Sequence, residues 1–147
     1  MQRVAFSVMV AFFFACPALG QDDNRLPNGD FENGLDGWMV VNNSGRLKAE
    51  ASAKAKRKGH KGLRIDKTGG PPVDVIRANV SDLPAGGRVK VSAMLKADKA
   101  RNAWFKFFAY DDQGNVAVKN VDIKHITGSF GWQRVSRVYD RPANART

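Results

Sequence analysis

Ten consecutive residues, Arg88 to Ala97, alternate without a break. Val89, Val91, Ala93, Leu95 and Ala97 fall on one side, and Arg88, Lys90, Ser92, Met94 and Lys96 on the other. A repeat of two is the mark of a β-strand with one face on a core and the other toward solvent. Asp74 to Ser81 repeats the pattern more weakly, with Ile76, Ala78 and Val80 inward and Arg77, Asn79 and Ser81 outward. No stretch keeps a 3.6-residue period over the roughly 10–12 residues a globular helix wants. Ala49 to Lys58, rich in Ala and Lys, is the one weak helical candidate. Further strands are read at Trp38–Val41, Arg46–Ser52, Gly62–Asp66, Val73–Val80, Ala103–Tyr110, Val116–Ile126 and Trp132–Tyr139. Leu83-Pro84-Ala85-Gly86-Gly87 is a tight link, Asp111–Asn115 a hairpin turn with Gly114 free to take positive φ, and Gly128–Gly131 a turn-like link. Short strands separated by regular turns predict an all-β fold, an antiparallel β-sandwich.

The start of the chain has a different character. Arg3 precedes an uncharged run of 12 residues, Val4 to Ala15, and small residues stand at Ala18 and Gly20. That order is the pattern of a secretory signal peptide with cleavage after Gly20. The run is well short of the roughly 20 residues a membrane-spanning helix needs. The expected organisation is therefore a leader at 1–20, a single domain at 21–147 and no transmembrane segment, in a secreted or periplasmic protein. A buried N-terminal helix and a lipoprotein anchored through Cys16 are the alternatives. Phe13-Phe14-Ala15 before that cysteine is a poor context for lipid attachment. Cys16 is the sole cysteine and would leave with the leader, so the exported part must rely on a hydrophobic core.

Lys and Arg outnumber Asp and Glu by 24 to 14, a net charge of +10. Much of the excess lies in Lys54, Lys56, Arg57, Lys58 and Lys61. One reading is a solvated loop; the other is contact with an anionic envelope surface or acidic polysaccharide. No nucleic-acid-binding module is visible, and nucleic acid is not an expected partner.

One strand departs from the one-sided pattern. In Ala103–Tyr110, Phe105, Phe107 and Ala109 form one face, and Trp104, Lys106, Phe108 and Tyr110 the other. Either a loop covers the second face or it lines a groove. Aromatic platforms suit sugars, because the CH face of a pyranose stacks on an indole or phenol ring whose polar edge takes hydroxyls. Trp104, Lys106, Phe108, Tyr110 and Arg77 are accordingly the candidate carbohydrate-binding residues. Trp38 and Trp132, at strand starts, read as core. Catalysis has little support. Asp111 and Asp112 share a turn, and nothing nominates the spaced carboxylate pair of a glycosidase. His60 and His125 have no metal-ligand spacing, and no phosphate loop or nucleophile context is present.

The stretch Leu26-Pro27-Asn28-Gly29-Asp30-Phe31-Glu32-Asn33-Gly34-Leu35-Asp36-Gly37-Trp38 resembles the opening of carbohydrate-binding modules of the CBM4/9 (CenC-like) type, which are galactose-binding-like jelly rolls. Gly59–Ile65, the strands within Val89–Tyr110, and Phe130–Val135 resemble later segments of the same family in order and spacing. The resemblance implies a jelly roll and non-catalytic binding of a polysaccharide or oligosaccharide. The alternative is a structural or protein/polyanion interaction module of the envelope with the same fold. It also implies a structural calcium ion, with Glu32 as one ligand. The family's usual partner ligand, in an aromatic-Asp-Asp-Val segment, has no counterpart here, and the sequence given stops about where the family enters its last strands. A domain lacking those strands is the corresponding expectation.

Overall fold

The computed structural model describes residues 4–9, 25–57, 59, 61–69, 74–80, 87–111, 113–140, 142 and 145. Seven strands are present among the described residues: β1 (Val4–Met9), β2 (Trp38–Val41), β3 (Leu47–Ser52), β4 (Gly62–Lys67), β5 (Val75–Ala78), β6 (Arg88–Tyr110) and β7 (Val116–Asp140). They form a five-stranded sheet in the order β3-β4-β1-β6-β7 and a two-stranded sheet of β2 and β5, every pairing antiparallel. The fold is an all-β sandwich of the jelly-roll kind.

Most strands fall where the side-chain alternation puts them. Of the helical candidate Ala49–Lys58, the described residues 49–57 form no α-helix. Its first half is β3, and only Ala53–Ala55 forms a short 3-10 turn, started by the Ser52 hydroxyl accepting from Lys54 N–H. Four expected strands merge into two. Arg88–Ala97 and Ala103–Tyr110 are one strand, as are Val116–Ile126 and Trp132–Tyr139, because the β6–β7 ladder stays paired through the joints, with Ala97 opposite Phe130 and Ala100 opposite Gly128. The joint is a bulged corner. Lys99 and Gly128 take φ of +52° and +73°, and Ser129 ties the strands by accepting from Lys99 N–H at 2.7 Å and donating to Asp98 at 3.3 Å. Extra residues in a bulge bend a strand and turn its side chains. Gly128–Gly131 is thus part of that corner and not a turn between strands. The links at Leu83–Gly86 and the residues Lys58, His60 and Asp112 lie outside the described residues.

One core cluster gathers Leu26, Phe31, Leu63, Ala93, Leu95, Ala97, Ala100 and Ile126 between the sheets, with Trp38, Ile76 and Ala78 packed on it from the smaller sheet. A second cluster, Val89 and Val91 with Phe105, Phe107, Ile123 and Tyr139, continues along the β6–β7 hairpin. The expectation that Trp38 belongs to the core holds; Trp132 is half-buried.

The loop entering β2 is built on Asn28. Its side-chain amide donates to the carbonyls of Gly34 (3.1 Å) and Asp36 (3.0 Å), and its Oδ1 accepts from Asn33 N–H (3.1 Å). The Trp38 indole N–H donates to the Asn28 carbonyl at 3.3 Å. These bonds hold the turn that drives Phe31, fully buried at φ +62°, under Trp38, with ring centroids 4.9 Å apart. Asn28→Ala removes three of the bonds and leaves their backbone partners unmet. At about 1 kcal/mol per lost bond, a destabilisation of roughly 2–3 kcal/mol is expected in a urea unfolding titration.

Asp74 clamps the loops around β4 and β5. Its buried carboxylate accepts from Ser44 N–H (2.8 Å) and the Ser44 hydroxyl (2.5 Å), and pairs with Lys67 at 2.8 Å. The hydrogen bond from Lys67, then those from Ser44, lower its pKa from the ordinary 3.8 to about 2. A carboxyl whose folded pKa is depressed stabilises the fold above its unfolded pKa, and that contribution is lost as pH falls toward the folded value. Thermal melts from pH 7 down to pH 2 should therefore show an acid limb between about pH 4 and 2. Asp74→Asn should lower the melting temperature at neutral pH and flatten that limb.

Candidate functional site

The second half of the β6–β7 hairpin carries the candidate residues Trp104, Lys106, Phe108 and Tyr110. The turn that closes it is built by Asp111, whose carboxylate accepts from the N–H groups of Gln113 (3.0 Å) and Asn115 (2.7 Å), with Gly114 at φ +80°. Burial raises the Asp111 pKa, but the hydrogen bonds from Asn115, Gln113 and Gly114 outweigh it and hold the group below the ordinary carboxylate value. Between Tyr110 and Phe105 the ladder slips three times, and these irregularities decide which side chains of β7 meet the aromatic face of β6.

Phe105 and Phe107 pack against the core, and Ala109 is buried, as their positions require. On the opposite face, Trp104 and Phe108 are 38% and 40% exposed and Tyr110 is half-buried. Exposed aromatic rings gathered in one strip, in place of single scattered ones, form the kind of surface that marks a contact site. Trp104 stands opposite His125, and the two rings stack with centroids 5.0 Å apart and planes 14° apart. The imidazole is held in turn by a 2.9 Å hydrogen bond between its Nε2 and Asn102 Oδ1. Lys106 places its ammonium 5.3 Å from the Trp104 ring centroid and 3.3 Å from Asp122, the residue opposite it in the ladder. A cation over an indole face is attracted by the ring quadrupole. The result is an indole braced from its own sheet with part of its surface open, beside a paired cation and carboxylate.

Four of the five sequence-nominated residues lie on this one strip. Arg77 lies on β5 of the other sheet, where its guanidinium donates to Met39 Sδ at 3.3 Å. His125, Asp122 and Asn102 escaped the sequence reading. The turn at Asp111–Asn115 was visible, but counting back from it without slips puts Asp122 opposite Trp104, and only the bulges bring His125 there.

Glu32 is engaged elsewhere. Its Oε1 accepts from Lys61 N–H at 3.0 Å, and its backbone carbonyl accepts from the Lys61 ammonium at 3.0 Å. Gly59, at φ +75°, sits so close that a Cβ there would lie 3.2 Å from Glu32 Oε1. Calcium needs six to eight oxygens. Among the described residues no group of three or more His, Cys, Asp or Glu comes together. In this arrangement the Lys61 ammonium lies on the Glu32 backbone carbonyl, and one carboxylate oxygen of Glu32 is engaged by the Lys61 N–H. Of the basic run, Lys54, Lys56 and Arg57 are exposed. No helix of the described residues is long and apolar enough to cross a membrane.

Compared with known families, residues 23–147 match the CBM_4_9 family, described as a carbohydrate binding domain. No curated protein and no solved structure matches the chain.

Proposed function

The chain belongs to the CBM4/9 carbohydrate-binding family and is a non-catalytic sugar-binding β-sandwich, and we propose that it binds polysaccharide on the exposed strip Trp104, Lys106, Phe108 and Tyr110 of β6. The observation that carries this reading is the half-open Trp104 indole, fixed by His125 on the neighbouring strand. A ring held by its neighbours loses little freedom when a sugar stacks on it, so the contact costs less to form. Phe108 and Tyr110 extend the platform along the strand. Lys106 and Asp122 supply a donor and an acceptor for hydroxyls. Arg77, on the other sheet, has no part in this strip.

The net charge of +10 and the exposed Lys54, Lys56 and Arg57 support an acidic polysaccharide as the preferred ligand, drawn in by long-range attraction that salt screens. Lys61 is committed to Glu32 and contributes structure. On this reading sugar binding needs no calcium, because the Lys61 ammonium already occupies the Glu32 carbonyl.

Affinity electrophoresis on neutral and acidic polysaccharides tests the site. Trp104→Ala should weaken retention about tenfold, which equals roughly 1.4 kcal/mol. Tyr110→Ala should weaken it less, and Lys106→Ala should narrow the preference for acidic chains. Retention should be the same in calcium and in a chelator. Full retention by Trp104→Ala places the sugar elsewhere on the domain.

The leader supports export. Arg3, the uncharged Val4–Ala15 run and the small residues Ala18 and Gly20 are the parts a signal peptidase reads. Sequencing the N-terminus of the protein recovered outside the cytoplasm should give Gln21 first; an intact Met1 would refute processing at Gly20.

A further inference from the structure

Val4–Met9, the start of the run that the sequence assigns to the leader, is the middle strand of the larger sheet. Residues 4 to 8 pair antiparallel with Lys67 back to Leu63 on β4, and residues 5 to 9 pair antiparallel with Asp98 back to Met94 on β6. Among the described residues, no strand other than β1 joins β4 to β6. Taking β1 away leaves two facing strand edges about 9–10 Å apart, twice the ordinary strand spacing. Each edge then carries a row of unmet N–H and C=O groups, a template for another strand.

We propose that removal of the leader converts this position into an acceptor slot that takes up a β-strand from another polypeptide. The register states what such a strand must look like. Residues 6 and 8 stand at the level of Ile65 and Leu63 on one side and Ala97 and Leu95 on the other, all of which belong to or pack on the core. The intervening positions stand level with Arg64, Asp66, Lys96 and Asp98. The partner is therefore an extended segment, antiparallel to β4 and β6, apolar at alternate positions and polar between. Backbone bonds supply the affinity and alternate side chains the choice, the logic of strand addition.

One atom argues that the leader is not the best occupant. Asp66 Oδ1 is buried with no hydrogen-bond partner among the described residues, and the residue level with it on β1 is Ala5, which has no side-chain donor. A buried acceptor left unmet is costly. A partner strand with a hydroxyl at that position meets it.

The test uses the full chain with Phe6→Pro, since a proline removes a ladder donor and is not accommodated in a central strand. Hydrogen exchange at 63–67 and 94–98 should quicken about 100-fold as the slot opens. A fluorescent peptide of sequence Val4–Met9 should then bind one to one and restore protection, while the unaltered chain, its slot filled, takes up none. The peptide carrying Ala5→Ser should bind several-fold more tightly. Unchanged protection in Phe6→Pro, or an open slot that ignores the peptide, overturns the acceptor site. An Ala5→Ser peptide that binds no better overturns the claim that the slot is made for a strand other than the leader. Should Phe6→Pro not fold, the unaltered chain is folded first and then cut between β1 and Arg25. Displacement of the cut strand by labelled peptide supports the slot, and refusal of the peptide rejects it. Polysaccharide retention by the same samples reports separately on the sugar site.

Discussion

The β6–β7 ladder is the constraint on which the rest of the domain depends. Its first half supplies Val89, Val91, Ala93, Leu95 and Ala97 to the interior. Its second half supplies Phe105 and Phe107 to the second cluster and turns Trp104, Phe108 and Tyr110 outward. The corner where Ser129 bridges Asp98 and Lys99 joins these halves without breaking the pairing. The exposed aromatic strip is thus the continuation of a strand whose other end lies in the core. Side chains mounted on such an element are aimed by the fold and need no ordering when a ligand arrives.

The smaller features serve the same end. Asn28 satisfies the loop that buries Phe31, and Asp74 fastens the segments flanking the short sheet. Lys61 and Glu32 form a closed exchange, side chain to backbone in both directions, at the entrance to β4. In this respect the domain carries its own cation at the place where the family resemblance implies a metal ion.

Much of this was legible in the residues. The strict alternation of Arg88–Ala97 and the turn signals fixed the fold class, and the two-faced Ala103–Tyr110 segment singled out the aromatic strip. What was not legible came from long-range pairing. Bulges at the corner and near Phe105 depend on how two strands far apart in sequence settle against each other, and a one-residue slip exchanges the faces of everything beyond it. His125 and Asp122 were hidden for that reason, as was the continuity of β6 and β7. Arg77 alternates correctly on its own strand, but alternation cannot say which sheet the strand joins. Val4–Met9 carries the composition of a leader, and nothing local to it announces a place between β4 and β6.

The bulged corner also bears on how such a domain can diverge. Adding or deleting a single residue between Ala97 and Ala103 would reverse the orientation of everything from Trp104 to Tyr110, turning the aromatic strip inward and the core phenylalanines out. Length in that stretch is therefore frozen even though its side chains are mostly exposed. The tip at Asp111–Asn115 is under no such restriction, since growth there leaves both strands in phase. New ligand preferences are free to arise by lengthening the tip or by recolouring the strip residue by residue, and the corner is closed to insertion.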